Sequence, residues 1–428
     1  MIGIAVFVLS SITVTLSGPS AVLVWLVAAA LMFIIALNFA ELATAFPKAG
    51  GVYVYPNEIF GKENKVGSFL GHLTGWLYWF TFGVLANVIG AIFIGEYAAI
   101  FIPWAARYST LIAIFALVLV WALNLVGVVP TGLVNTILTF GLITVMLIYV
   151  AVGIPRIHLE YYHPFVEGYM GFRGLLLGIT IAWLGYTAWI AITSLAEEIR
   201  EPEKTIPRAL SIAMFTVALL YFLVLFVTFG LGRWTEFTQQ NPFGYYSPFS
   251  YAASKLGSPW IASILALGAI LAITTTMIVL VLDSSRVLLA MGRTGMLPQI
   301  FSHTHVRFKT PWFSLTFLTV VSAAFVTQPR EIISYLVQMG GGSFGIIIFI
   351  SCLSLVYMRR FRRDVEAKFR VPGGYVLPIA AMAIIVVAMT QYESAVYYLT
   401  GGWTLVGCVY YGLRTFVFNK ILRKQNHI

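Results

Sequence analysis

Only two cysteines and 10% charged residues occur in this chain of 428, and each scarcity excludes a class of protein. Cys352 and Cys408 fall inside apolar runs, where free cysteine acts as a small apolar packing residue. No disulfide framework can be built from them, and no disulfide-linked subunit is expected. Ordinary globular domains carry about 25% charged residues. No polar stretch here is long enough for a separate soluble domain of typical size. The strings GxxxxGK[ST] and HExxH are missing, so nucleotide-driven pumping and zinc hydrolysis lack a basis. Hydrolase chemistry of any familiar kind is not expected, and the chain is read as no enzyme and without a bound cofactor. His303 and His305 share a basic loop with no nearby cysteine or acid, which argues against a metal pair. No lysine or arginine precedes Lys48, so a secretory signal with its positive leading region is not expected.

What the chain has instead is apolar sequence, 60% of its residues. A run of about 20 apolar residues crosses a bilayer as a helix, and such runs recur from end to end. Polar, proline and glycine punctuation divides the chain into twelve predicted spans, near 2–17, 20–45, 68–102, 108–127, 131–153, 175–196, 209–231, 259–290, 312–327, 332–357, 374–391 and 395–418. The reading is an all-α integral membrane protein. Twelve spans put both termini on one side, and the 26 lysines and arginines test which. With the termini inside, only Arg107, Arg156, Arg173, Arg233, Lys255 and Arg330 fall outside. That bias follows the positive-inside rule. The net charge of +10 therefore sits in short loops beside the membrane and sets topology; no nucleic acid partner is expected.

Candidate chemistry concentrates where polar groups enter apolar spans, because charge at membrane depth is costly and defaults to function. The stretch Gly178–Pro207 carries Gly185 in mid-span among Trp183, Tyr186, Thr187 and Trp189. An interrupted helix survives in lipid only where it is buried or lines a cavity, and transporters build substrate sites on such breaks. Close helix packing at a glycine is the competing explanation. Glu41, Glu96 and Asp283 are the deep acids, with Asp283 also placed to pair with Arg286. Asn87 reads as an interhelical hydrogen-bonder. The run Thr274-Thr275-Thr276 offers oxygens to a hard cation, although threonines also bond back to their own helix. Arg359-Arg360-Phe361-Arg362-Arg363 reads as a juxtamembrane anchor, with anionic lipid contact as a second role.

Four stretches together resemble the amino acid–polyamine–organocation (APC) superfamily. Phe39–Tyr55, FAELATAFPKAGGVYVY, is similar to its second-span signature. Gly185 followed by Ala196–Leu210, AEEIREPEKTIPRAL, is similar to its sixth-span motif. Ser285–Phe301 with Lys309–Pro311 and then Val371–Pro378 match in order and spacing as far as about Thr390. The resemblance implies a LeuT-type fold of two inverted repeats, 1–153 and 175–357, followed by two helices in 374–418. It also implies a substrate site between the first and sixth spans. Gly3, Ile4, Ala5, Val6 and Phe7 stand where the family has G-x-G-I/V-F, with Ala5 replacing the second glycine. Trp183, Gly185, Tyr186, Thr187 and Trp189 form the other wall.

The same resemblance carries departures. About ten family residues would precede Gly3. Leu142 stands where many proton-coupled members have lysine, which turns attention to Thr275 and Thr276 as sodium ligands. Thr187 stands where relatives for cationic substrates often have glutamate. The expectation is a secondary amino acid transporter for neutral or apolar substrates in the cell membrane, with H+ or Na+ as coupling ion. A polyamine carrier, an exchanger, and a non-transporting sensor on the same scaffold are the alternatives.

Overall fold

The structure is a computed structural model describing residues 3–61, 65–239, 248–257, 259–328 and 330–425. Its elements are helices: α1 (Ile4–Ser17), α2 (Ala21–Ala45), α3 (Gly51–Phe60), α4 (Lys65–Tyr78), α5 (Ala86–Phe101), α6 (Ser109–Val126), α7 (Val128–Gly153), α8 (Gly171–Ala182), α9 (Ala191–Ser194), α10 (Pro202–Gly230), α11 (Trp234–Gln239), α12 (Pro248–Lys255), α13 (Pro259–Arg293), α14 (Trp312–Val326), α15 (Arg330–Phe361), α16 (Val376–Met389) and α17 (Ser394–Gln425). Among the described residues eight helical stretches are long and apolar enough to cross a membrane, and the pair α16 and α17, bent by 118°, makes a ninth. Each predicted span coincides with a helix, yet the count falls below twelve for physical reasons. α1 and α2 fall within one continuous stretch, Leu9–Ala45, α16 and α17 count as one bent pair, and α14 has 15 residues, short of the roughly 20 that a crossing needs.

Two compact units are present. The first comprises Met1–Leu37, Val88–Ile190 and Arg208–Val279, and the second Asn38–Asn87, Ala191–Pro207 and Leu280–Ile428.

In the first unit α1 packs along α8 at backbone contact distance. A β-carbon at Gly174 would lie 1.9 Å from the carbonyl oxygen of Leu16, so only glycine allows this approach. Small residues at helix contacts are the usual route to close packing in membranes, where helices gain nothing by hiding apolar surface from lipid. α1 ends at Gly18, whose φ of +67° is a region that suits glycine, and Pro19 opens the short 3-10 turn into α2.

In the second unit α4 runs into a π-helical segment, Trp79–Leu85, before α5 begins. The wider turn disturbs the regular carbonyl acceptors, and the Asn87 side chain donates to Phe82 O and Gly83 O, both at 3.1 Å. Asn87 thus serves its own helix; the expected interhelical bond gives way to repair of the π segment. The second-span signature forms a joint here. Gly50 and Gly51 adopt positive φ, and Gly51 sits so close to Thr193 and Ser194 that a β-carbon would meet their hydroxyls at 2.8 and 2.7 Å. Glu41, fully buried, accepts from Arg359 Nε at 2.8 Å, from Arg359 Nη2, and from the Val371 amide at 2.7 Å. The Glu41 carboxylate therefore ties α2 to the end of α15 and to the loop that follows. Arg359, grouped by sequence with a solvated anchor, is a buried-pair partner.

Candidate functional site

The two predicted walls of the substrate site meet within the first unit. Gly3 is buried and extended (φ −141°), and its amide donates to the Tyr221 hydroxyl at 3.1 Å. α1 begins at Ile4 with no side-chain cap and no acid in its first turn. The first amides of a helix have no intrahelical acceptor, and the macrodipole places partial positive charge there. Val6 and Phe7 are buried, Phe7 against Phe249 with ring centroids 5.0 Å apart. The Ile4 side chain lies outside the described residues.

Opposite lies the sixth span. α8 stops at Ala182 and the chain tightens into a 3-10 helix over Trp183–Ile190, so the interruption expected at Gly185 is a change of helix type rather than an extended gap. The span also starts earlier than predicted, at Gly171. Long 3-10 stretches have poorer hydrogen bonds than α-helix and mark hinges or strain. A β-carbon at Gly185 would lie 2.5 Å from Trp25 Cζ3 and 3.5 Å from Ala5 Cβ; this juxtaposes Ala5 and Gly185. Tyr186 is buried, its hydroxyl donating to Trp25 O at 3.1 Å. Trp25, Tyr186 and Tyr221 then form an aromatic cluster with centroids 5.3 to 5.9 Å apart, pinned by Trp25 Nε1 donating to Thr13 Oγ1 at 3.0 Å. Trp183 is buried and its Nε1 has no hydrogen-bond partner among the described residues. Trp189 is buried. Thr187 is half-buried and its hydroxyl donates to Leu184 O at 3.0 Å.

Trp25 and Tyr221 were not singled out by sequence. Their signal was present, since an aromatic side chain with a polar tip in an apolar span needs a hydrogen-bond partner; the partner's identity was not readable.

The three threonines of α13 bond to their own helix. Thr274 donates to Ile270 O at 2.8 Å, and Thr275 and Thr276 both donate to Ala272 O at 2.9 Å. Their hydrogens are committed, and the oxygens keep lone pairs. Leu142 is buried in α7 beside Gly268 of α13, an apolar contact without a basic group. Glu96 is half-buried in α5.

In the second unit Asp283 is fully buried and accepts from the Tyr78 hydroxyl, with Ser194 beside it. Its expected partner Arg286 turns elsewhere: Nε donates to Glu198 Oε1 at 3.1 Å and Nη1 to Leu282 O at 3.1 Å. Two cavities lie in this unit, one of about 680 Å³ along Lys48, Glu58, Glu197 and Arg293, the other of about 600 Å³ along the arginines after α15. No three metal-binding side chains cluster among the described residues. His305 instead accepts from the Arg307 and Phe308 amides through Nδ1, each at 3.2 Å. One expectation is corrected by the chain itself: no G-x-S-x-G string is expected from the sequence reading, yet Gly341-Gly342-Ser343-Phe344-Gly345 matches it. It lies inside α15 with Ser343 fully buried, whereas a nucleophile elbow needs a strand-to-helix turn.

The family model described as amino acid permease matches residues 1–412. The chain belongs to the amino acid permease family. This is a family of transporters, not enzymes, and it fits the LeuT-type membrane fold within the APC superfamily. Relatives of this permease include the branched-chain amino acid permease BcaP of Bacillus subtilis, 26% identical across 96% of this chain and 89% of the relative. The methylthioribose transporter of the same organism is 25% identical across 96% and 90%. Its serine/threonine exchanger SteT is 26% identical across 90% and 85%. The permease is a multi-pass membrane protein that takes a small-molecule substrate. Both of its cysteines are free.

Proposed function

We propose that this permease moves amino acids with neutral, apolar side chains across the cell membrane by alternating access, with both termini cytoplasmic. The observation that carries this reading is the start of α1, with no side-chain cap and with Val6 and Phe7 buried, set against Gly185 in the 3-10 segment Trp183–Ile190. Free amides and a positive helix end attract a carboxylate, and carbonyls at the opposite break receive an ammonium. The unpartnered Trp183 Nε1 adds a buried donor. Gly3, Ile4, Ala5, Val6 and Phe7 would hold the substrate backbone from one side, and Trp183, Gly185, Tyr186, Thr187 and Trp189 from the other. The aromatic walls suit an apolar side chain. Thr187 brings a hydroxyl rather than a carboxylate, which disfavours a polyamine. The names of the branched-chain permeases of Bacillus subtilis and Lactococcus lactis point the same way.

Coupling is proposed to run on H+ or Na+, with the oxygens of Thr275 and Thr276 as the sodium candidates. Uptake of labelled leucine, isoleucine, valine, serine and threonine into proteoliposomes tests the whole reading. A pH gradient, a sodium gradient and no gradient are imposed in turn, with unlabelled methylthioribose as a competitor. Gradient-driven uptake of the branched amino acids is the expected result. Binding without flux would replace transport by sensing, and competition by methylthioribose alone would replace the substrate class.

A further inference from the structure

The end of α15 holds a feature that the transport reading does not use. The loop from Arg362 to Tyr375 folds back over the last turn of α15 and is held there by the buried bond of Val371 N–H to Glu41, and by Arg359 donating to Gly374 O at the surface and to Val371 O. Between loop and helix end lies the cavity of about 600 Å³, lined by Arg359, Arg362, Arg363 and Arg370, with Glu41 as its only carboxylate among the lining residues.

Two of the four arginines are neutralised. Arg359 is spent on Glu41. Arg362 binds Asp364 through Nε and Nη2, at 2.9 and 2.7 Å, and donates from Nη1 to Glu58 O and Ile59 O. Arg362 in turn holds the Asp364 carboxyl below its ordinary range. Arg363 and Arg370 line the cavity with no carboxylate partner among the described residues. Topology alone asks only for solvated charges near the membrane. Arg363 and Arg370 are themselves exposed, but topology does not ask that two such guanidinium groups line one cavity whose wall is tied by the Arg359–Glu41 pair.

We propose that this cavity binds the phosphate of an anionic phospholipid headgroup, with Arg363 and Arg370 as its ligands. The guanidinium fork matches phosphate oxygens in pairs. The cavity stands at the end of a membrane-spanning stretch, Met339–Phe361, where headgroups lie. Apolar side chains stand exposed beside it, Phe361 at 64%, Val376 at 67% and Ile379 at 51%; Val376 and Ile379 share the outward stripe of α16 and suit acyl chains. A soluble phosphate would use the arginines and ignore that stripe. The proposal is independent of what the permease carries.

The test is native mass spectrometry of the detergent-solubilised protein with equal phosphatidylglycerol and phosphatidylcholine. The parent is compared with the Arg363→Gln/Arg370→Gln double variant and with Arg208→Gln, an exposed arginine on α10. Thermal unfolding verifies that each variant is folded. The expected result is selective retention of phosphatidylglycerol by the parent and by Arg208→Gln. Losing two charge-assisted contacts should weaken it in the double variant by about tenfold or more. Equal retention in the double variant would overturn the site. Displacement of the lipid by millimolar inorganic phosphate, with the same dependence on both arginines, would overturn the headgroup assignment in favour of a soluble anion.

Discussion

Gly185 and Trp25 stand so close that a β-carbon on the first would lie 2.5 Å from Cζ3 of the second. Trp25 cannot yield freely, because its indole N–H is held by Thr13 and its carbonyl receives the Tyr186 hydroxyl. Gly185→Ala should therefore displace the aromatic cluster at an overpacking cost of about 1–3 kcal/mol. Substrate binding should be lost while the protein still elutes as a folded species in detergent. Scintillation proximity binding with labelled leucine checks this, and parent-like binding would remove the Trp183–Ile190 segment from the site.

Tyr221→Phe isolates one hydrogen bond. The ring stays against Trp25 and Tyr186 while the acceptor for Gly3 N–H disappears. An uncompensated buried donor costs about 1–3 kcal/mol. The expected outcome is a raised KM for uptake with kcat nearly unchanged, since Tyr221 fixes the entry to α1. A change in kcat alone would contradict that role.

Thr275→Val with Thr276→Val removes both oxygens and keeps the β-branched shape. The lost bonds run only to Ala272 O within the same helix, so folding should be spared. In sodium-driven uptake the double variant should lose its response to sodium while keeping leucine binding. An unaltered sodium response would dismiss these oxygens as ligands.

Glu41→Gln should be the most damaging single change considered. It leaves the Arg359 guanidinium buried without its counter-charge, and breaking a buried pair costs about 3–5 kcal/mol. Following it with Arg359→Met should recover part of the loss. Thermal unfolding in detergent across the double-mutant cycle measures both effects, and additive losses would mean that the two residues do not act as a pair.

Asp283 gives a graded test. Asp283→Asn keeps an oxygen to accept the Tyr78 hydroxyl, whereas Asp283→Leu strands it. The Leu variant should be less stable than the Asn variant by about 1–3 kcal/mol, the usual penalty for an unsatisfied buried polar group. Equal melting temperatures would show that the Tyr78–Asp283 bond contributes nothing.

Most of the helical layout was legible because its signals are local. Apolar runs, Pro19 and Gly18 at a turn, and the glycines at 50 and 51 act within a few residues of themselves. Composition alone does not fix the number of crossings: α14 is apolar but only 15 residues long, and α1 joins α2 in one continuous stretch. The π segment at Trp79–Leu85 was illegible, since it departs from α-helix by the hydrogen-bond partners of one stretch. Gly185 stands out in the sequence as a small residue among aromatics and a hydroxyl, but the tightening to a 3-10 helix and the packing of Trp25 upon it are not legible there.

By itself the sequence determined that this chain lives in a membrane, where its basic loops fall, and which family its motifs resemble. Those properties follow from composition and from residues close together along the chain. Tertiary structure alone decided that Tyr221 receives the Gly3 amide, that Trp25 closes on Gly185, and that Glu41 takes Arg359 from 318 residues away. Hydrogen bonds and close packing depend on distances between atoms, and folding brings together groups whose separation along the chain says nothing about those distances.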